Sequence, residues 1–181
     1  MKTSFLSHLP LHARSVPVYT DGSRRGGCVG ASAVFPDLTV SHTLPSCSSV
    51  FTAELIALLL AVSRIAALNM HDAYTIFSDS RSALIALQNR TTRHPLVSII
   101  QRFLCMLHAR HKQLTFCWVP SHVGIHGNEL ADRADSHAAT RNAFCRRDIP
   151  DVVQLGHLPA SDFYSQLKQG FFQLLAGVLV G

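Results

Sequence analysis

With 181 residues, 48% of them hydrophobic and 15% charged, the chain has the size and apolar content of one folded domain, which excludes a disordered polymer. Sixteen Lys and Arg against 11 Asp and Glu give a formal charge of +5, and thirteen of the cations are Arg. That balance suits a polyanionic partner gripped by guanidinium groups, although a generic basic domain has it too. The five cysteines, Cys28, Cys47, Cys105, Cys117 and Cys145, are odd in number and form no C-x-x-C pair. No Cys/His spacing matches a zinc site, so reduced thiols of an intracellular protein, nuclear or cytoplasmic, are expected.

In chain order, MKTSFLSHLPLHAR lacks the apolar core of a signal peptide, and residues 1–14 are read as an N-terminal extension. Val16 to Asp21 predicts a strand running into a turn at Asp21-Gly22-Ser23, with a tight connection at Gly26-Gly27. CVGASAVF (28–35) and LTVSHTL (38–44), separated by Pro36-Asp37, predict two more strands and an antiparallel meander. After a Ser-rich loop, Thr52 is placed to cap a helix to about Asn69, with Leu55, Leu58, Leu59, Val62 and Ile65 as its apolar stripe. AYTIFS (73–78) predicts a strand, and Ser80 a cap for a helix through Asn89. Pro95 opens a helix to about His111, buried along Leu96, Ile99, Ile100, Phe103, Leu104 and Leu107. LTFCWV (114–119) predicts the last strand, and a Gly-containing loop leads to a helix from about Asn128 to Thr140.

Three meander strands followed by strands alternating with helices predict an α/β fold: a five-stranded mixed sheet, three strands antiparallel and then parallel ones, flanked by helices. The domain is expected over 15–142. Residues 143–181 are expected as a C-terminal extension, truncated or degenerate, with Asp148 to Pro159 as linker. Its tail FFQLLAGVLVG is too short to span a bilayer, and no membrane partner is expected.

Four acids sit in four distinct stretches: Asp21 in VYTDGS, Glu54 in TAELIALLLA, Asp79 in IFSDSRSAL and Asp132 in HGNELADRAD. Converging carboxylates repel unless a cation lies among them, and a divalent metal is the usual answer. Singly, each has a plain alternative. An Asp-Gly turn accounts better for Asp21 alone, helix capping equally well for Glu54, and a turn or N-cap equally well for Asp79. The fourth stretch is more specific. WVPSHVGIHGNELADRAD joins an aromatic strand end, a Gly-rich loop with His122 and His126, and a helix bringing Asn128 and Asp132 to one side at i, i+4.

Together TDGS, the TAE helix start, FSDS and VPSHVGIHGNELAD, in that order over Ser15 to Arg141, resemble the type 1 ribonuclease H family. SHVGIHGNE-x-AD is most similar to the ribonuclease H domain of non-LTR retrotransposon polyproteins. The resemblance implies a ribonuclease H-like fold and an endonuclease that hydrolyses the RNA strand of RNA–DNA hybrids. It implies that Asp21, Glu54, Asp79 and Asp132 ligate two Mg²⁺ ions, with Mn²⁺ as the alternative. His122 is implied for proton handling or product release; a loop histidine bonded to backbone is the plain alternative, and His126 is read as structural. Gly22 and Ser23, with Glu54, are implied at the 2′-hydroxyl, and Asn128 in orienting substrate or loop. Arg24, Arg25, Arg81, Arg90 and Arg93 are candidates for the DNA phosphates, and a solvated turn explains Arg24 and Arg25 equally.

Two departures stand out. Only NRTTRHP joins the two middle helices, where some relatives carry an extra basic helix and loop, and no reverse transcriptase motif is present although relatives of this type are fused to one. A second reading is therefore a catalytically inactive remnant serving as a nucleic-acid-binding or structural domain. Another nuclease or integrase of the same general fold fits the Gly-rich His loop less well.

Overall fold

Short turns in the N-terminal third separate three strands that form a meander. They are β1 (Val16–Arg25), β2 (Cys28–Val34) and β3 (Thr39–Leu44). The protein, a computed structural model, is described over residues 15–68, 71–89 and 91–141, with side chains in the last helix up to residue 134. The chain divides into units Met1–Asn142 and Ala143–Gly181, and the elements below belong to the first. The N-terminal extension, Arg90, Cys145 and the apolar tail lie outside the described residues.

β2 pairs antiparallel with both neighbours, and β4 (Ala73–Ser78) and β5 (Gln113–Trp118) extend the sheet in parallel from the other side of β1. The strand order β3-β2-β1-β4-β5 is the mixed five-stranded sheet expected from the sequence. Four helices accompany it among the described residues: α1 (Val50–Ala67), α2 (Arg81–Gln88), α3 (Pro95–Ala109) and α4 (His126–Arg141).

The pleat assigns these helices to faces. Val18 and Thr20 are fully buried, and Gly22 on the same side abuts the backbone of α1. Tyr19, on the opposite side, lies against Gly127 of α4, and Ser32 donates from that side to the Ala131 carbonyl at 2.8 Å. The sheet is therefore sandwiched, with α1 on one face and α4 on the other. Leu55, Leu58, Val62 and Ile65 of α1 are shut from water, each contributing roughly 1.5–3 kcal/mol of transfer free energy. α3 packs against α1 through Leu96, Val97, Ile100 and Leu107, whereas Ile99, Phe103 and Leu104 of the expected stripe are only half-buried.

Two expectations are corrected. Asp21-Gly22-Ser23 is not a turn: the strand continues to Arg25 because Asp21, Gly22 and Ser23 pair with Ser32, Ala31 and Gly30. The reversal comes at Gly26-Gly27, whose φ angles of 56° and 81° form the two-residue hairpin. Nor does Thr52 cap α1. Ser49 does, in extended conformation, its Oγ accepting the Thr52 N–H at 3.0 Å. Glu54 therefore sits in the second turn, and the first turn holds no acid.

Ser49→Ala is expected to cost about 1 kcal/mol, the usual value of an N-cap, and Thr52→Ala less. Denaturant midpoints of the two variants check this, and equal losses would return the cap to Thr52.

Candidate active site

Parallel pairing of β1 with β4 builds the centre of the site. Thr20 is the partner of Ser78, so continuing that register by one residue brings Asp21 beside Asp79, just past the end of β4. Glu54 enters from α1. One carboxylate oxygen from each of Asp21, Glu54 and Asp79 lies within 4.8 Å of the other two. Asp21 and Glu54 are each only 7% exposed.

The approach of α1 depends on Gly22. A Cβ there would penetrate the Glu54 amide nitrogen and the Ala53 carbonyl carbon, so no larger residue lets the helix start this close to the strand. Arg24 braces the same junction, donating to the carbonyls of Ser46 (2.9 Å) and Ser48 in the loop that leads into α1. The sequence left Arg24 between phosphate contact and solvated turn; its guanidinium instead holds this loop.

Asp79 is fixed from three directions. Its carbonyl accepts the Arg81 N–H at 3.0 Å and the indole N–H of Trp118 at 3.0 Å, and its Oδ2 accepts from Nδ2 of Asn128 at 3.4 Å. Asn128 is 3% exposed, and its Oδ1 is buried without a hydrogen bond. Gly127 positions the start of α4 against the ring of Tyr19, which stacks on Phe77 with centroids 4.9 Å apart. Burial, and secondarily Cys117, raises the Tyr19 phenol above its ordinary value.

Asp132 occupies a different place. It lies outside the three-carboxylate group, and its Oδ1 is 2.7 Å from Nη2 of Arg25. Ser23 is half-buried with its Oγ enclosed and not hydrogen-bonded. His122 is exposed between β5 and α4 with a left-handed φ of 52°, a conformation in which His is enriched but still uncommon. His126 is the exposed first residue of α4, and Arg81 and Arg93 are exposed.

Sequence reasoning missed the bond from Trp118 to the Asp79 carbonyl, the pairing of Arg25 with Asp132, and the need for Gly127. A lone tryptophan closing a strand that pairs beside Asp79, and a glycine at the start of a helix, are the signals that point to the first and third.

Electrostatics sets what this arrangement can do. At the widest separation in the group, 4.8 Å, two ionised carboxylates repel by roughly 3.5 kcal/mol at an effective dielectric near 20, and closer pairs repel more. A neutral amide from Asn128 does not offset that. The donors are all carboxylate oxygens, a set that suits a hard divalent cation such as Mg²⁺ or Mn²⁺ and not a soft metal. On its donor chemistry the site fits such an ion.

A family model described as RNase H matches residues 13–140. Among solved structures, the chain is similar to RNase H1 from the halophilic archaeon Halobacterium salinarum NRC-1. The TM-score is 0.51 and the identity 23%, over 68% of this chain and 96% of that one, a likeness that speaks for the fold. No curated protein matches the sequence.

Gly22→Ala is expected to force α1 away from β1, costing about 1–3 kcal/mol, the range for overpacking, and to loosen the carboxylate group. Thermal unfolding followed by circular dichroism checks the stability, and a melting temperature within a degree of wild type would mean the close approach is dispensable.

Proposed function

The chain belongs to the ribonuclease H family, hydrolases of the RNA strand of RNA–DNA hybrids, and we propose that it performs this hydrolysis with two divalent cations held by Asp21, Glu54, Asp79 and Asp132. The observation that carries the reading is the meeting of three carboxylates from β1, α1 and the end of β4 within 4.8 Å. When bound, such cations supply a water activated for in-line attack at phosphorus and charge stabilisation for the leaving 3′ oxygen.

The residues divide the remaining work. Asp21, at the centre of the sheet, is the carboxylate best placed to serve both cations, and Asp79 beside it is kept in orientation by Asn128 and Trp118. Glu54 completes the group from α1, and Asp132, paired with Arg25, joins from α4. His122, exposed on its loop, takes up or delivers a proton at its imidazole or assists product release. The backbone around Gly22 and Ser23 faces the 2′-hydroxyl, the group that separates RNA from DNA. Arg81 and Arg93 are exposed and hold phosphates of the DNA strand. The form of SHVGIHGNELAD supports descent from a non-LTR retrotransposon polyprotein, in which a reverse transcriptase domain is the natural partner. A substrate of that kind places the protein inside the cell, in nucleus or cytoplasm.

The test is cleavage of an end-labelled RNA–DNA hybrid in Mg²⁺ or Mn²⁺, beside EDTA and single-stranded RNA. Metal-dependent cutting confined to the RNA of the hybrid is expected. Asp79→Asn keeps the shape while removing one charge, and is expected to lower turnover about a thousandfold, equivalent to several kcal/mol of lost charge stabilisation. Substantial turnover by this variant would sink the metal assignment. His122→Ala is expected to slow turnover by about 10²-fold or less without abolishing it, as removal of an assisting general acid or base does. Complete loss would give His122 a larger role.

A further inference from the structure

Two adjacent arginines leave the end of β1 in different directions. Arg24 turns to the loop before α1, whereas Arg25 reaches Asp132 of α4 with Nη2 to Oδ1 at 2.7 Å. Arg25 is the last residue of β1, paired with Cys28 across the Gly26-Gly27 turn, so its backbone is fixed at the hairpin tip. Asp132 is anchored from the same hairpin: Ser32 of β2 donates to the carbonyl of Ala131, one residue earlier, and Ser32 is the strand partner of Asp21. The hairpin thus fixes the backbones on both sides of the ion pair. The guanidinium side chain is 54% exposed and the carboxylate 22%, so the pair can open without unpacking the core.

We propose that Arg25 is a positioning residue for Asp132, an internal counter-ion that holds the carboxylate and competes for it with a divalent cation. The inference rests on the metal reading above. A guanidinium 2.7 Å from Oδ1 occupies one lone pair of the carboxylate and offsets its charge, so guanidinium and cation compete for the Asp132 carboxylate. Arg25 thereby sets how much cation is needed to recruit the fourth carboxylate. Because the pair is partly solvated, its hold is modest, comparable with other exposed ion pairs.

The experiment is Mn²⁺ binding to the full chain, read by calorimetry and by the electron paramagnetic resonance signal of free Mn²⁺. It compares wild type, Arg25→Ala, Arg25→Lys, Asp132→Asn and the double variant Arg25→Ala/Asp132→Asn. Removing the competitor is expected to tighten Mn²⁺ binding roughly two- to fivefold in Arg25→Ala. Arg25→Lys, which keeps the charge, should stay within about twofold of wild type, by the same scale of exposed pairs. In the Asp132→Asn background the Arg25→Ala change should have no effect. Equal tightening in both backgrounds would assign the effect to the general field of a nearby cation and overturn the proposal. So would unchanged or weaker binding by Arg25→Ala, while leaving the metal reading intact. Failure of wild type to bind Mn²⁺ at all would overturn both.

Discussion

Bringing carboxylates from β1, α1 and the end of β4 within 4.8 Å works against their charge, and the surrounding fold has to supply the force that keeps them together. That force is apolar. Helix α1 is buried along most of its length on the sheet, and its packing carries Glu54 toward Asp21 whether or not the charges favour it. The contact can be this close because Gly22 offers no side chain to the incoming helix. On the other face, α4 rests on Tyr19 through Gly127 and delivers the Asn128 amide to Asp79. The site is a place where hydrophobic packing energy is converted into a concentrated negative potential.

The topology explains why that place is at β1. This strand is the junction of the sheet, antiparallel to β2 on one side and parallel to β4 on the other. Because the parallel pair runs in step, an acid on β1 and one just past the end of β4 come side by side. The antiparallel neighbour serves differently: it turns back as a hairpin that reaches α4 through Ser32 and Arg25. One strand thus connects the three-carboxylate group to the helix that bears Asp132.

Element order and sheet type were legible because the alternating run at Thr39–Leu44, the short apolar run at Ala73–Ser78 and the apolar stripe of α1 carry strong local signals. The three carboxylates were legible through their motifs. What local pattern hides is what long-range pairing decides. Asp21-Gly22-Ser23 has the composition of a turn, yet cross-strand bonds to Ser32, Ala31 and Gly30 keep it extended. Ser49 and Thr52 are both good caps, and only the chain direction before the helix chooses between them. The engagement of Arg25 with Asp132 spans 107 positions in sequence, and no spacing rule anticipates it.

Trp118 is the single tryptophan of the chain, half exposed, with its indole N–H committed to the carbonyl of Asp79. The only indole chromophore therefore shares a hydrogen bond with the backbone of a central carboxylate residue. Events at that carboxylate will tug on the fluorophore through one bond, while its exposed remainder senses quenchers in solution. The protein carries an optical probe of its own site, readable without labels and free of background from any second tryptophan.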